Sequence, residues 1–317
     1  MPKINVGMSQ NPYIRAVLIG VLFVAILLVG NYAFREITHL PGYHRYQPTT
    51  PIRTKPVPLP KNPAKLPDEI ISALESAGIN PKSAVEGGGY FPQFTYLIPT
   101  HHPSIDWQNV NASLSETGFK AVIVGTQKEI LERVNIIEQS DPINPNQFNE
   151  EVALFNLEAW IAAERAGLQS KGVKLPPASY QPRRTGISIQ PGTMAEASTS
   201  RYDQVAKKEV VYLAIFKISD PALLPLYLAF SDSNSGPTAD VHYALLTYVS
   251  SVNRAYLMSI SVNSIELSIP YRPEDDQAKK TLAEVLFLWA PDQAKGNDLY
   301  NPTQHVGTSY PTLLRWD

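Results

Sequence analysis

Histidines at positions 101, 102, 242 and 305 and aspartates at 106, 292 and 317 are side chains that could hold a metal or move a proton. Their spacing argues against a metal. His101 and His102 are adjacent, so in a strand they would point to opposite faces, and no H-E-x-x-H pair places two imidazoles on one helix face. The most promising cluster is His242, Trp289, Asp292, Trp316 and Asp317. If the chain end lies beside the end of the preceding helix, aromatic walls flank carboxylates in a small pocket, as ligand sites often do. Two readings of these residues stay open: ligand-binding residues, or tryptophans that fill core with aspartates that cap turns and helix ends. Acid–base use would pair Asp292 or Asp317 with His242 and needs both groups within hydrogen-bond reach of one substrate.

Other signatures are missing or bland. No G-x-S-x-G elbow is present. Gly87, Gly88 and Gly89 precede a strand-like run and no Gly-Lys-Ser/Thr follows, which predicts a flexible turn and not a phosphate loop. Arg183 and Arg184 could bind an anion, although two arginines on a solvated loop usually bind nothing specific. The chain has no cysteine, which removes disulfides, thiolate nucleophiles and iron–sulfur clusters. No cofactor or metal is expected. A net charge of −2, with no basic cluster interleaved with aromatics, gives no drive toward nucleic acid.

The elements that must position these residues follow from periodicity. Asp68 is placed to cap a helix through about Ala77, with Gly78 closing it. A strand through Ile98, a helix from Ser104 to about Ser115, a strand from Phe119 to Val124 and a helix from Gln127 to Glu138 come in tight order. That order predicts a βαβ unit whose two strands are parallel with a right-handed crossover. A long helix is expected from about Phe148 to Leu168, burying Val152, Phe155, Ala159 and Ala162 on a sheet with Trp160 beside them. Residues 171–204 read as a long loop. Then come a strand over 209–218, a short turn or helix over 221–230, and a helix capped by Thr238 that runs to Arg254 with Val241, Leu245, Tyr248 and Val249 inward. Strands over 255–262 and 264–271 are close enough to form a hairpin. Pro273 opens a helix with Glu274, Asp275 and Asp276 in its first turn; that helix ends near Trp289 and the tail from Thr308 returns to the sheet.

Near the start lies an uncharged apolar run, residues 16–34, beginning at Ala16 and ending at Phe34. As a helix it is roughly 28 Å long, about the hydrocarbon thickness of a bilayer. Lys3 and Arg15 precede it, the charge order of a signal anchor, and the run is longer than a usual signal peptide core. An uncleaved single span over 14–35 is expected, behind a tail of residues 1–13. Prolines at 41, 48, 51, 56, 58, 60, 63 and 67 make 36–67 a semi-rigid, polyproline-like stalk whose later charges are all basic. The globular part is then 68–317. A short tail followed by a long C-terminal region suits a bacterial inner-membrane protein with its globular part in the periplasm, although the flanking positive charges do not decide the side.

From about residue 90 to the end, and most clearly from Val211, the chain resembles the bacterial family known as domain of unknown function 4253. The likeness rests on the strand from Val211 to Ile218, Pro237 leading into the helix with His242, the ISVNSIELSI hairpin, Arg272-Pro273 before a helix, Trp289-Ala290-Pro291-Asp292, and the final Trp316-Asp317. Ala290 stands where the family has cysteine and Arg315 where it has a first tryptophan, which marks this chain as a divergent member. The resemblance implies no established activity.

The expectation is therefore an α+β domain, a mixed sheet with a βαβ unit and a C-terminal hairpin packed by helices, behind one N-terminal transmembrane helix. Its expected role is a non-catalytic module at the cell envelope that binds a protein or small molecule, toxin immunity being one version. An enzyme built on Asp292, Asp317 and His242 is the alternative.

Overall fold

The run VYLAIFK, Val211–Lys217, is apolar nearly throughout because it lies in the interior of a sheet covered on both faces, where a strand has no polar side to show. The structure is a computed structural model that describes residues 64–87, 95–139, 155–172, 200–218, 220–228, 230, 237–290, 302–308 and 310–316. The expected anchor over 16–34, most of the stalk, Arg183, Arg184, Asp292 and Asp317 lie outside the described residues. Among the described residues no helix is long and apolar enough to cross a membrane.

The strands are β1 (Val85–Glu86), β2 (Thr95–Thr100), β3 (Phe119–Thr126), β4 (Val211–Lys217), β5 (Tyr256–Ile260), β6 (Ser264–Ser268) and β7 (Thr312–Arg315). They form one seven-stranded mixed sheet in the order β1-β2-β4-β3-β5-β6-β7. β3 and β5 pair parallel and the other neighbours pair antiparallel. The hairpin of β5 and β6 and the return of the tail as β7 match the expectation. The βαβ unit needs correction. β2 and β3 do run in the same direction, but each pairs antiparallel with β4, which lies between them. Apolar runs specify burial and leave the choice of neighbour to the tertiary fold, so a strand from far along the chain enters the gap.

Alternating side chains divide the sheet into two cores. Leu97, Val122, Val124, Ala214, Phe216 and Leu267 belong to one; Ile98, Ala121, Ile123, Leu213, Ile215 and Met258 belong to the other. The first core is covered by α3 (Gln127–Gln139), α7 (Ala239–Asn253) and α8 (Asp276–Trp289). The second is covered by α1 (Asp68–Ser76), α2 (Pro103–Ser113) and the one-turn α5 (Tyr202–Val205). The remaining helices are α4 (Leu157–Ser170) and the short α6 (Leu224–Tyr227). Contacts of the second core reach back to Leu66 and Ala64, whose amide donates to the Ala84 carbonyl at 3.0 Å.

Several local expectations shift. Pro67 and not Asp68 occupies the N-cap of α1, and Asp68 sits in the first turn, where its charge suits the helix dipole. His102 is the N-cap of α2, which frees Ser104 to bond Asp203. His101 and His102 are exposed and lie between β2 and α2 instead of in a strand. Thr238 holds the cap position of α7 without a side-chain bond. The described part of the long helix starts after Asn156, which caps it by accepting from the Ala159 amide. Its inward face is Leu157, Trp160, Ile161, Glu164 and Leu168, so the exposed Ala159 and Ala162 were expected on the wrong side, and the helix packs on α8 instead of on the sheet. Alanines fit either face, whereas the large side chains decide which one turns inward.

Asp275 caps α8 by accepting from the Ala278 amide at 2.8 Å, with Asp276 in the first turn and Pro273 outside the helix. Asp275→Ala should cost about 1 kcal/mol, read as a lower urea midpoint with an unchanged slope. An unchanged midpoint would show that the cap contributes nothing.

Candidate functional site

Where β3 ends beside its parallel neighbour β5, the chain buries a carboxylate. Glu266 of β6 is 1% exposed. Its Oε2 accepts from Ser200 Oγ at 2.6 Å and Ser259 Oγ at 2.7 Å, and its Oε1 accepts from the Arg201 amide at 2.9 Å. The Arg201 guanidinium then donates to Ser261 Oγ at 2.9 Å, to the Tyr202 hydroxyl at 2.7 Å and to Glu129 at 3.4 Å. The Tyr202 hydroxyl donates to Glu129 Oε1 at 2.9 Å.

Glu129 arrives through a capping box. Its Oε2 accepts from the Thr126 amide at 2.9 Å while its own amide points at Thr126 Oγ1 at 3.4 Å, the T-x-x-E arrangement at the start of α3. Just before it β3 shifts register at Gly125, whose φ is +92°. A Cβ there would lie 2.9 Å from the Tyr202 oxygen and closer still to the Glu129 carboxylate. Glycine is required by the backbone and by the close approach together.

Two arginines meet the β5–β6 turn from opposite sides. Arg133 of α3, 4% exposed, donates to the carbonyls of Ser261, Val262 and Leu228 and lies over the Phe230 ring at 4.8 Å. Burial lowers its pKa to about 10, so it stays a cation at neutral pH. For Arg201 burial also favours proton loss, but Tyr202, Glu266 and Glu129 outweigh it and the pKa rises. Burial drives the Tyr202 phenol upward, so it stays a neutral donor. The two arginines and two glutamates balance in charge. A general acid or base needs a pKa near working pH; burial and neighbouring charge push Tyr202 and Arg201 upward, and Arg133 stays well above it. The hydrogen bonds of the centre tie α3, the segment from Ser200 and the β5–β6 hairpin together. Its exposed fringe, with the Arg201 and Glu129 side chains 31% and 27% accessible, adds little as an ion pair.

Of the five residues expected to form a ligand site, the structure brings His242, Trp289 and Trp316 together. His242 Nδ1 accepts from Trp289 Nε1 at 2.8 Å, and Trp316 Nε1 donates to the Trp289 carbonyl at 2.7 Å. The imidazole meets Trp316 edge-on at 4.8 Å between centroids and Phe230 at 4.7 Å. All four rings are at most 2% exposed. Burial, and then the Arg133 charge, lowers the His242 pKa to about 3, so the ring is neutral and closed off from solvent. Trp316, the residue after the terminal strand, does meet the end of α8, the condition that a pocket there required, and what it builds there is core. Among the described residues no group of acidic residues and histidines could hold a metal.

An open groove of about 670 Å³ runs along the start of α3 and the start of β4. Leu131, Val210 and Tyr212 supply apolar surface, and Lys128, Glu132 and Glu209 are among its polar lining. Val210, 43% exposed, is an uncovered apolar side chain at the mouth of the sheet. Its volume falls in the range of small-molecule and short-peptide sites. The chain matches no family model, and no curated protein or solved structure is significantly similar to it.

Neither the Glu266 centre nor the groove stood out in the sequence. The capping pattern at Thr126 and Glu129 was the one local signal, and a glutamate in the apolar hairpin run, SIELS, was the other. Gly125→Ala should lower stability by at least ~2 kcal/mol, because the new Cβ meets both strain at positive φ and the packed Glu129 and Tyr202 groups. Urea unfolding measures it, and a loss below ~0.5 kcal/mol would mean that the centre rearranges freely.

Proposed function

We propose that this protein is a single-pass bacterial inner-membrane protein, anchored through residues 16–34, whose globular part is a non-catalytic binding module on the periplasmic side. The groove between α3 and β4 is the observation that carries the binding role: it is lined by apolar and charged side chains together, beside the hydrogen-bonded Glu266 centre. Its ligand is a protein segment or a small molecule, and toxin neutralisation is one use of such a surface. Nucleic acid is not a partner, given the near-neutral charge. The alternative enzyme needs His242 as a proton carrier, and a neutral imidazole held by Trp289 inside an aromatic cage is poorly suited to that work. Of the residues that carry the likeness to the domain of unknown function 4253 family, Val211, His242, Trp289 and Trp316 are core residues, which favours kinship in fold over kinship in a site.

Two measurements test this. Full-length protein should stay with membranes through an alkaline carbonate wash and leave them when residues 14–35 are deleted; a soluble full-length chain would refute the anchor. A photo-crosslinking residue in place of Val210 should give a discrete adduct in cells that Leu131→Asp abolishes, while the same probe in place of the somewhat more exposed Val252 gives none. Equal labelling at both positions, or none at 210, would remove the groove from the proposal.

A further inference from the structure

We infer that the cage around His242 is an acid-sensitive latch on the C-terminal strand. The cage joins three separate parts of the chain. His242 comes from α7, Trp289 from the last residue of α8, and Trp316 from the residue after β7. β7 pairs with β6 alone among the described strands, so it is an edge strand whose hold depends on what its ends touch. Trp316 fixes one end: its amide donates to the Asn263 carbonyl at 2.9 Å and its indole to the Trp289 carbonyl at 2.7 Å.

The hydrogen bond inside the cage works for the neutral ring alone. Trp289 Nε1 is a donor and nothing else, so His242 Nδ1 must be without a proton to accept from it. A second proton on the imidazole would set two N–H groups against each other at 2.8 Å. It would also place a cation in a fully buried site whose other walls are Phe230 and Trp316. Among the described residues Arg133 is the charged group that acts on it, stacked on Phe230, and it repels a positive ring. The backbone of Pro237 favours the charged form, but burial and Arg133 outweigh it. The closed cage therefore excludes the proton that an open chain accepts near the ordinary histidine value. Opening takes up that proton, so acid favours the open form.

The sign and window follow from linkage. His242 titrates near pH ~6.5 once exposed, well above its closed-state value, so the latch is fully held above that pH and weakens as pH falls. In the window from about pH 6.5 to about pH 5, ordinary carboxylates stay ionised while a released histidine charges. An envelope protein whose module faces the outside would meet such acid directly, a use that rests on the proposed periplasmic placement; the latch itself does not.

The absence of cysteine gives a clean reporter. Thr312 of β7 is fully buried, so Thr312→Cys in the full chain, in detergent micelles, becomes reactive when the strand lets go. Labelling with a dipyridyl disulfide, which reacts in acid, is normalised to the chain unfolded in urea. The rate should rise about tenfold for each pH unit below ~6.5. His242→Gln, which can still accept from Trp289 but carries no charge, should flatten that slope, with His242→Asn in its place should the first variant not fold. His305→Gln is the control for the other histidine of the tail and should keep the slope. A flat wild-type rate, an unchanged slope without His242, or a slope lost in His305→Gln alone would each overturn the latch.

Discussion

One buried carboxylate decides how the polar half of this molecule is assembled. An ionised group at 1% exposure costs several kcal/mol unless donors replace its water, and Glu266 receives three from Ser200, Ser259 and the Arg201 backbone. Meeting that requirement brings the segment beginning at Ser200 onto the hairpin. The position of Arg201 then follows, because its guanidinium reaches Ser261, Tyr202 and Glu129 from there. Glu129 in turn sets the start of α3, and with α3 comes Arg133, which closes the other side of the same turn. Segments far apart in sequence thus meet through hydrogen bonds to one buried carboxylate and two arginines.

The same centre borders the groove proposed as the binding surface. Side chains locked by mutual hydrogen bonds are poor at changing partners, but they hold their surroundings still. The groove begins at Thr126, the residue that caps α3 through Glu129, and continues to Tyr212 on β4. A rigid border of this kind suits recognition, because little ordering is left to be done when a ligand arrives. The aromatic cage lies at the β7 end of the sheet, where it joins α7, α8 and the end of β7 into one core.

Much of the fold was legible because it rests on periodicity. The strands at Phe119, Val211, Tyr256 and Ser264, the helix from Gln127 and the returning tail all show in the pattern of apolar residues. The partners of those strands were not legible. β4 separates β2 from β3 because sheet order is set by packing between distant segments, about which a local pattern is silent. Helix starts were displaced where the expected capping side chain had a distant partner, as Ser104 has in Asp203. For the site, sequence reasoning gathered His242, Trp289 and Trp316 but left open whether the aromatics are pocket walls or core; they fill core, the commoner fate of tryptophan beside a buried helix. Glu266 was passed over because a single acidic residue in a strand looks like one facing solvent.

Hydrogen exchange on the full chain, comparing wild type with Glu266→Gln, tests most directly whether the buried centre is a tie between segments. A tie predicts that protection falls together in three places: residues 200–206, the β5–β6 hairpin and the first turn of α3. Loss of protection confined to β6, with the other two segments unchanged, would contradict it and leave Glu266 as a local feature of one strand.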